Sequence, residues 1–235
     1  MKVSNVGRSA AILAIGALAL TACGSDNPTG ESGGGGGESS GVSGTLTGIG
    51  ASSQQAAMTA WQNGFQSSNS GATVQYSPDG SGAGREAFLA GGANFAGSDA
   101  YLSEKEIPDA KKQCGDAGAM DLPVYISPIS VAFNLPGVES LNLDAPTIAK
   151  IFKGEIKKWN AEEIKKQNPD ADLPETAITV VHRSDDSGTT ENFTDYLYQT
   201  APDAWTHGPV ETWPISGGQS GDGTSGLIST VEGGN

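Results

Sequence analysis

Val180-Val181-His182-Arg183-Ser184-Asp185-Asp186-Ser187-Gly188-Thr189-Thr190-Glu191-Asn192-Phe193 is the stretch from which the fold follows. It opens as an apolar strand, Ala177 to Val181, and passes into a polar turn with a cation, two carboxylates and several hydroxyls. It continues as an amphipathic helix carrying Phe193, Tyr196 and Leu197. A strand that gives way to Ser, Gly and Thr at a helix start leaves the first backbone N–H groups without intrahelical partners. Those donors, with the positive end of the helix dipole, favour a small anion. Ser187 and Thr189 add hydroxyls, and Gly188 lets a ligand approach the backbone. Arg183 adds a permanent charge whose fork suits a tetrahedral oxyanion. Ser, Thr and Asp also cap helices wherever helices start, so this stretch by itself supports both readings.

The same strand–turn–helix unit occurs twice upstream. Gly44 to Gly50 alternates as a short strand, Ala51-Ser52-Ser53 turns, and Gln54 to Phe65 has helical spacing of Ala57, Met58, Trp61 and Phe65. Ala72 to Tyr76 is a strand, Asp79 to Gly84 is a Gly-rich turn holding Ser81, and Arg85 to Leu89 starts a helix. A further short strand, Asn94 to Gly97, runs into Ser98-Asp99-Ala100, and Ser103-Glu104-Lys105-Glu106 reads as a capping box. Leu122 to Ile126 and Ser130 to Asn134 read as buried strands, and Ala145 to Phe152 and Ala161 to Gln167 as helices. Alternating strands and helices predict an α/β architecture with a largely parallel sheet. Ligands of such sheets bind beyond the carboxyl ends of the strands, where three hydroxyl-rich helix starts would meet.

Composition narrows the partners. The net charge of −14 argues against nucleic acid and against electrostatic docking on anionic lipid. An anion site here has to work through local dipoles and one or two cations. Two cysteines and two histidines, His182 and His207, are too few and too scattered for zinc, and no metal or cofactor is expected. No G-x-x-x-x-G-K-[ST] nucleotide loop occurs.

The first residues read as an export signal over 1–22, with Lys2 and Arg8 ahead of the apolar Ala10 to Leu20. Leu20-Thr21-Ala22-Cys23 has the bacterial lipobox pattern, so cleavage before Cys23 and a lipid on its thiol are expected; an ordinary secretory signal is the alternative. Residues 23–44 are Gly, Ser and other polar residues that behave as a flexible tether. The expectation is a protein outside the cytoplasm, held to the outer face of the cell membrane through the lipid alone. Cys114 is then a single thiol in an exported chain.

Several motifs, taken in order, resemble the phosphate-binding subunit (PstS) of the bacterial Pst phosphate ABC importer in its lipoprotein form. They are Gly48-Ile49-Gly50-Ala51-Ser52, Gly80-Ser81-Gly82, Phe95-Ala96-Gly97-Ser98-Asp99-Ala100, Asn134-Leu135-Pro136-Gly137-Val138, Gly154-Glu155-Ile156-Lys157-Lys158-Trp159-Asn160 and His182 to Thr189. The resemblance implies a class II periplasmic-binding-protein fold, two lobes closing on one orthophosphate, in a monomer that meets the importer's permease subunits. It implies phosphate ligands at Ser52, Ser53, Ser81, Asp99, Arg183, Ser187, Gly188 and Thr189, with Asp185 supporting Arg183. It places the first lobe at 45–127 and the second at 128–235, with a return segment to the first lobe missing after Asn235. Ser52-Ser53 stands where some relatives have Thr-Phe, which puts the Ser53 side chain in doubt. Asp186 stands where relatives usually have Gly and is expected to point to solvent.

The chemistry agrees with the resemblance. Orthophosphate keeps a proton near neutral pH and sulfate does not, so a carboxylate at Asp99 accepts a hydrogen bond from one and repels the other. An unpaired buried acceptor costs about 1–3 kcal/mol, enough for roughly tenfold selectivity. The alternatives are the same fold on a sulfate-like oxyanion, and a secreted phosphatase or other hydrolase. The latter lacks a G-x-S-x-G elbow and any base or metal set in the sequence.

Overall fold

A computed structural model describes residues 41–234. The export signal, Cys23 and most of the tether lie outside the described residues. Three strands form a parallel sheet in the order β2-β1-β3: β1 is Ser43–Gly50, β2 Gly71–Ser77 and β3 Phe95–Gly97. Parallel neighbours need long crossovers, and helices provide them. After β1 come a single 3₁₀ turn, Ser52–Gln54, and helix α1, Gln55–Ser68; after β2 comes α2, Ser81–Leu89. The helix expected over Gln54 to Phe65 is α1, entered one residue later through the 3₁₀ turn and continued to Ser68. Helix α3, Ile107–Cys114, begins beyond Ser103, whose N–H and hydroxyl both donate to the Glu106 carboxylate.

The second half is built around helices α4, Ala145–Phe152, α5, Glu162–Gln167, and α6, Gly188–Thr200. Asp144 caps α4, its side chain accepting the Thr147 N–H at 2.9 Å, and Pro146 occupies the first turn. Leu197 and Trp205 are fully buried against Ala149 and Ile148; a neighbouring cluster packs Ile164, Ile151, Ile156 and Leu135. Strand β4, Val181–Arg183, pairs in parallel with β5, Gln219–Gly221, and α7, Gly223–Glu232, follows directly.

Two expectations fail locally. Leu122 to Ile126 and Ser130 to Asn134 are not strands, and Leu122 and Ile126 are exposed. An apolar, β-branched run becomes a strand only beside another strand, and these have no paired partner among the described residues. The strand expected from Ala177 starts at Val181, because Ile178 donates its N–H to the Lys157 carbonyl at 2.8 Å instead.

What brings the turns together is close backbone contact. A Cβ on Gly84 would lie 2.5 Å from Gly50 Cα, so only glycine lets α2 settle onto the end of β1. Gly80, at φ 103°, turns the chain there and donates its N–H to the Gly50 carbonyl at 2.9 Å.

Candidate functional site

The strand ends converge on Asp99. Its carboxylate accepts the Ser53 hydroxyl at 2.6 Å on one oxygen and the Thr189 hydroxyl at 3.0 Å on the other. Its backbone N–H donates to Ser81 Oγ at 3.1 Å, and its carbonyl accepts the Asn192 side-chain amide at 2.9 Å. Three turns that are far apart in sequence thus meet on one residue, two of them on its carboxylate. Ser53, Asp99, Arg183 and Thr189 line a common cleft of about 1050 Å³, together with Tyr125 and Asn192.

The turn after β4 is built around a buried ion pair. Arg183 Nε donates to Asp185 Oδ1 at 2.6 Å, and Nη2 donates to the other oxygen. Side-chain exposures are 6% and 10%. Asp185 also accepts the Gly223 N–H at 3.2 Å, which fixes the start of α7. Burial raises the Asp185 carboxyl, but the hydrogen bond and charge of Arg183 outweigh it and hold the group below the ordinary range. The pair occupies two nitrogens of the guanidinium, and Arg183 lines the cleft.

Ser187 is the N-cap of α6, its oxygen accepting the Thr190 N–H at 3.3 Å. A hydroxyl that accepts through oxygen still has its hydrogen to donate, so capping and anion binding use different ends of the same group. Gly188 has no room for a side chain: a Cβ would lie 2.6 Å from Ser81 Oγ and 2.9 Å from Asp99 Cβ. Ser52 faces elsewhere. Its oxygen accepts the Thr224 N–H at 3.0 Å, so it joins the first sheet's turn to α7 and is not among the groups on Asp99. Ser53, the doubtful member, is the one whose hydroxyl reaches the carboxylate. Asp186 is exposed, as expected, with its carboxylate on Thr212 and its carbonyl accepting the Gly82 N–H at 3.2 Å.

Sequence reasoning missed Tyr125, Asn192 and Tyr76. Tyr125 donates its hydroxyl to the Ser53 carbonyl at 3.0 Å, and Tyr76 donates to the Ala51 carbonyl at 2.9 Å. Burial, reinforced by the Asp99 charge, pushes the Tyr76 phenol up. Burial also raises Tyr125, with the Ser53 contact opposing and Asp99 adding. Both therefore stay neutral donors around the cleft. Their sequence surroundings carry no signal, since an aromatic in or after an apolar run ordinarily reads as core.

No hydroxyl of the cleft is paired with a histidine. His182 holds its Nδ1 on the Arg183 carbonyl at 2.8 Å and stacks on Trp213 at 5.3 Å. Among the described residues, no group of three His, Cys, Asp or Glu side chains is placed to hold a metal ion. The arrangement can accept one hydrogen bond through Asp99, donate several, and offer the guanidinium of Arg183, while Arg85, also on the cleft's lining, is paired with Glu106 and Glu211. That is the equipment for holding a protonated oxyanion.

Comparison with known proteins gives the family. A family model described as a PBP superfamily domain matches residues 36–234. Phosphate-binding protein PstS 3 of Mycobacterium tuberculosis is 41% identical over 99% of this chain. Phosphate-binding protein PstS2 of Mycobacterium bovis is 42% identical over 99% of it. The chain spans 65% of the length of these curated relatives. Among solved structures, a high-affinity periplasmic phosphate-binding protein, PfluDING, bound with phosphate, is 25% identical. The match covers 81% of this chain and 54% of that one, with a TM-score of 0.55.

Proposed function

The chain belongs to the PBP superfamily, and from that premise we propose that it binds inorganic phosphate outside the cytoplasm and hands it to an ABC importer. The observation that carries the reading is Asp99. Its carboxylate lies in the cleft and gathers hydroxyls from two separate turns, with Arg183 lining the same space. In use, the P–O–H of phosphate donates to Asp99, the Ser53 and Thr189 hydroxyls turn from Asp99 to the ligand, and the other phosphate oxygens accept from them, from Ser81 and Ser187, from the first N–H groups of α6 and from Arg183. Ser52 and Asp185 support the turns. The relatives' names and the phosphate in the PfluDING structure support the ligand.

The same proposal covers the rest of the protein. Two lobes, 45–127 and 128–235, close on the ion as a monomer, and release it to the permease subunits. Cys23 carries the lipid that keeps the receptor at the outer face of the membrane. Binding is reversible and involves no bond making in the ligand.

Calorimetric titration of the purified chain with phosphate and then sulfate tests the reading. Phosphate is expected to bind and sulfate to compete poorly. Asp99→Asn is expected to narrow that preference by roughly tenfold, since an amide no longer repels an unprotonated oxyanion. Sulfate competition that is the same in both proteins refutes the role given to Asp99.

A further inference from the structure

The start of α2 meets the turn after β4 in a backbone seam. Gly82, the second residue of α2, donates its N–H to the Asp186 carbonyl at 3.2 Å. Just before the helix, Gly80 donates to the Gly50 carbonyl at 2.9 Å. Ser81 lies between these two bonds, buried, with its oxygen on the Asp99 N–H. The packing leaves no space for another atom. A Cβ on Gly82 would lie 2.7 Å from Asp186 Cβ, and one on Gly80 would lie 2.7 Å from Asp185 Oδ2. Gly188 meets Ser81 across the same seam.

Asp186 is itself braced from the loop after α6. Thr212 donates its hydroxyl to the Asp186 carboxylate, and the Ser187 N–H donates to the neighbouring Glu211 carbonyl at 3.3 Å. The side chain of Asp186 is thus engaged by Thr212, and what the residue offers α2 is its carbonyl. The first N–H groups of a helix have no partners within it. At α2 one of them is taken by Asp186 and serves to join two distant stretches of chain.

We infer that Gly82 and Asp186 are positioning residues for the anion site: their seam sets how closely Ser81 and the start of α6 approach each other, and Thr212 holds the Asp186 side chain in place. Neither residue is given a contact with the ligand. The seam joins the two lobes named above, so it forms as the cleft closes. A contact made only in the closed form raises affinity for any ligand that needs that form. What is bound rests on the phosphate reading; the seam itself does not.

The test is calorimetric titration of the full chain with inorganic phosphate, alongside melting curves, for Gly82→Ala, Asp186→Gly and the two combined. Alanine is otherwise the better helix former, so a loss in Gly82→Ala comes from the contact. That variant is expected to bind phosphate roughly ten- to a hundredfold more weakly. Asp186→Gly takes away the Cβ that stands in the way. The double variant is therefore expected to bind about tenfold more tightly than Gly82→Ala alone. A glycine needed only for folding would leave the affinity of the folded chain unchanged. Full affinity in Gly82→Ala, or a double variant no tighter than Gly82→Ala, overturns the inference. Where Gly82→Ala does not fold, Thr212→Val, at an exposed position, decides. A loss of about a few-fold supports the seam, and unchanged affinity refutes it. If the unaltered chain binds no phosphate, the phosphate reading falls and the melting curves decide the seam. Asp186→Gly must then cost less in the Gly82→Ala background than in the unaltered chain, and equal costs refute it.

Discussion

Asp185→Ala isolates the ion pair that aims Arg183. With 6% of its side chain exposed, Arg183 cannot recover its hydration when the carboxylate goes, and the Gly223 N–H loses its acceptor at the same time. Removing one member of a buried pair costs about 3–5 kcal/mol, most of it the penalty of the stranded charge. At roughly 2–4 °C per kcal/mol for a domain of this size, the melting temperature should drop by about 6–20 °C. The pH dependence gives the sharper signature. Asp185 is held below its ordinary value in the fold. A carboxyl depressed in this way contributes stability that is fully present above the unfolded value and is lost as pH falls through the folded one. The two melting curves should therefore stand apart at neutral pH and converge once the buffer passes below about pH 4. Scanning calorimetry across that range measures both effects. A gap smaller than about 2 °C at neutral pH, or one that stays constant on acidification, refutes the account of the pair.

Two further substitutions probe the cleft. Gly188→Ala forces a Cβ to within 2.6 Å of Ser81 Oγ; overpacking of about 1–3 kcal/mol should weaken phosphate binding by roughly ten- to a hundredfold while the fold survives. Unchanged affinity by calorimetry would mean that this contact lies outside the site. Tyr125→Phe removes the donor to the Ser53 carbonyl. A loss of about 0.5–1.5 kcal/mol, a few-fold in affinity, is expected, and identical titrations would make the contact incidental.

The strand–turn–helix units were legible because each is local. Gly80-Ser81-Gly82 and Ser187-Gly188-Thr189 lie within a few residues of the strands and helices they join, and the signals for turn, cap and helix agree there. The parallel pairing of β1 with β2 and β3 follows from the intervening helices. Legibility ended where structure depends on distant partners. Leu122 to Ile126 has the composition of a strand, but composition supplies no neighbour, so Tyr125 was not recognised as a cleft residue. Arg85 looks in sequence like an ordinary helix-surface cation. Its partner Glu211 is 126 positions away, and nothing near either residue marks them as buried together.

The contest between capping and anion binding, unresolved in the sequence, loses its force at the atomic level. Ser187 caps α6 through its oxygen, and that bond orients the hydroxyl without consuming its hydrogen. Ser81 does the same by accepting the Asp99 N–H. Asp185 spends its lone pairs on Arg183 and Gly223, and so holds the guanidinium while leaving Nη1 outside the pair. In each case one half of a polar group is fixed by the protein's own backbone or side chains, and the other half keeps its donor capacity. A site preorganised in this way has little rotamer freedom to lose on binding, which is how a strongly acidic chain can hold an anion with a single arginine in the cleft's turn. The helix caps are thus the means by which the site is built. Any substitution that breaks a cap should cost ligand affinity as well as helix stability.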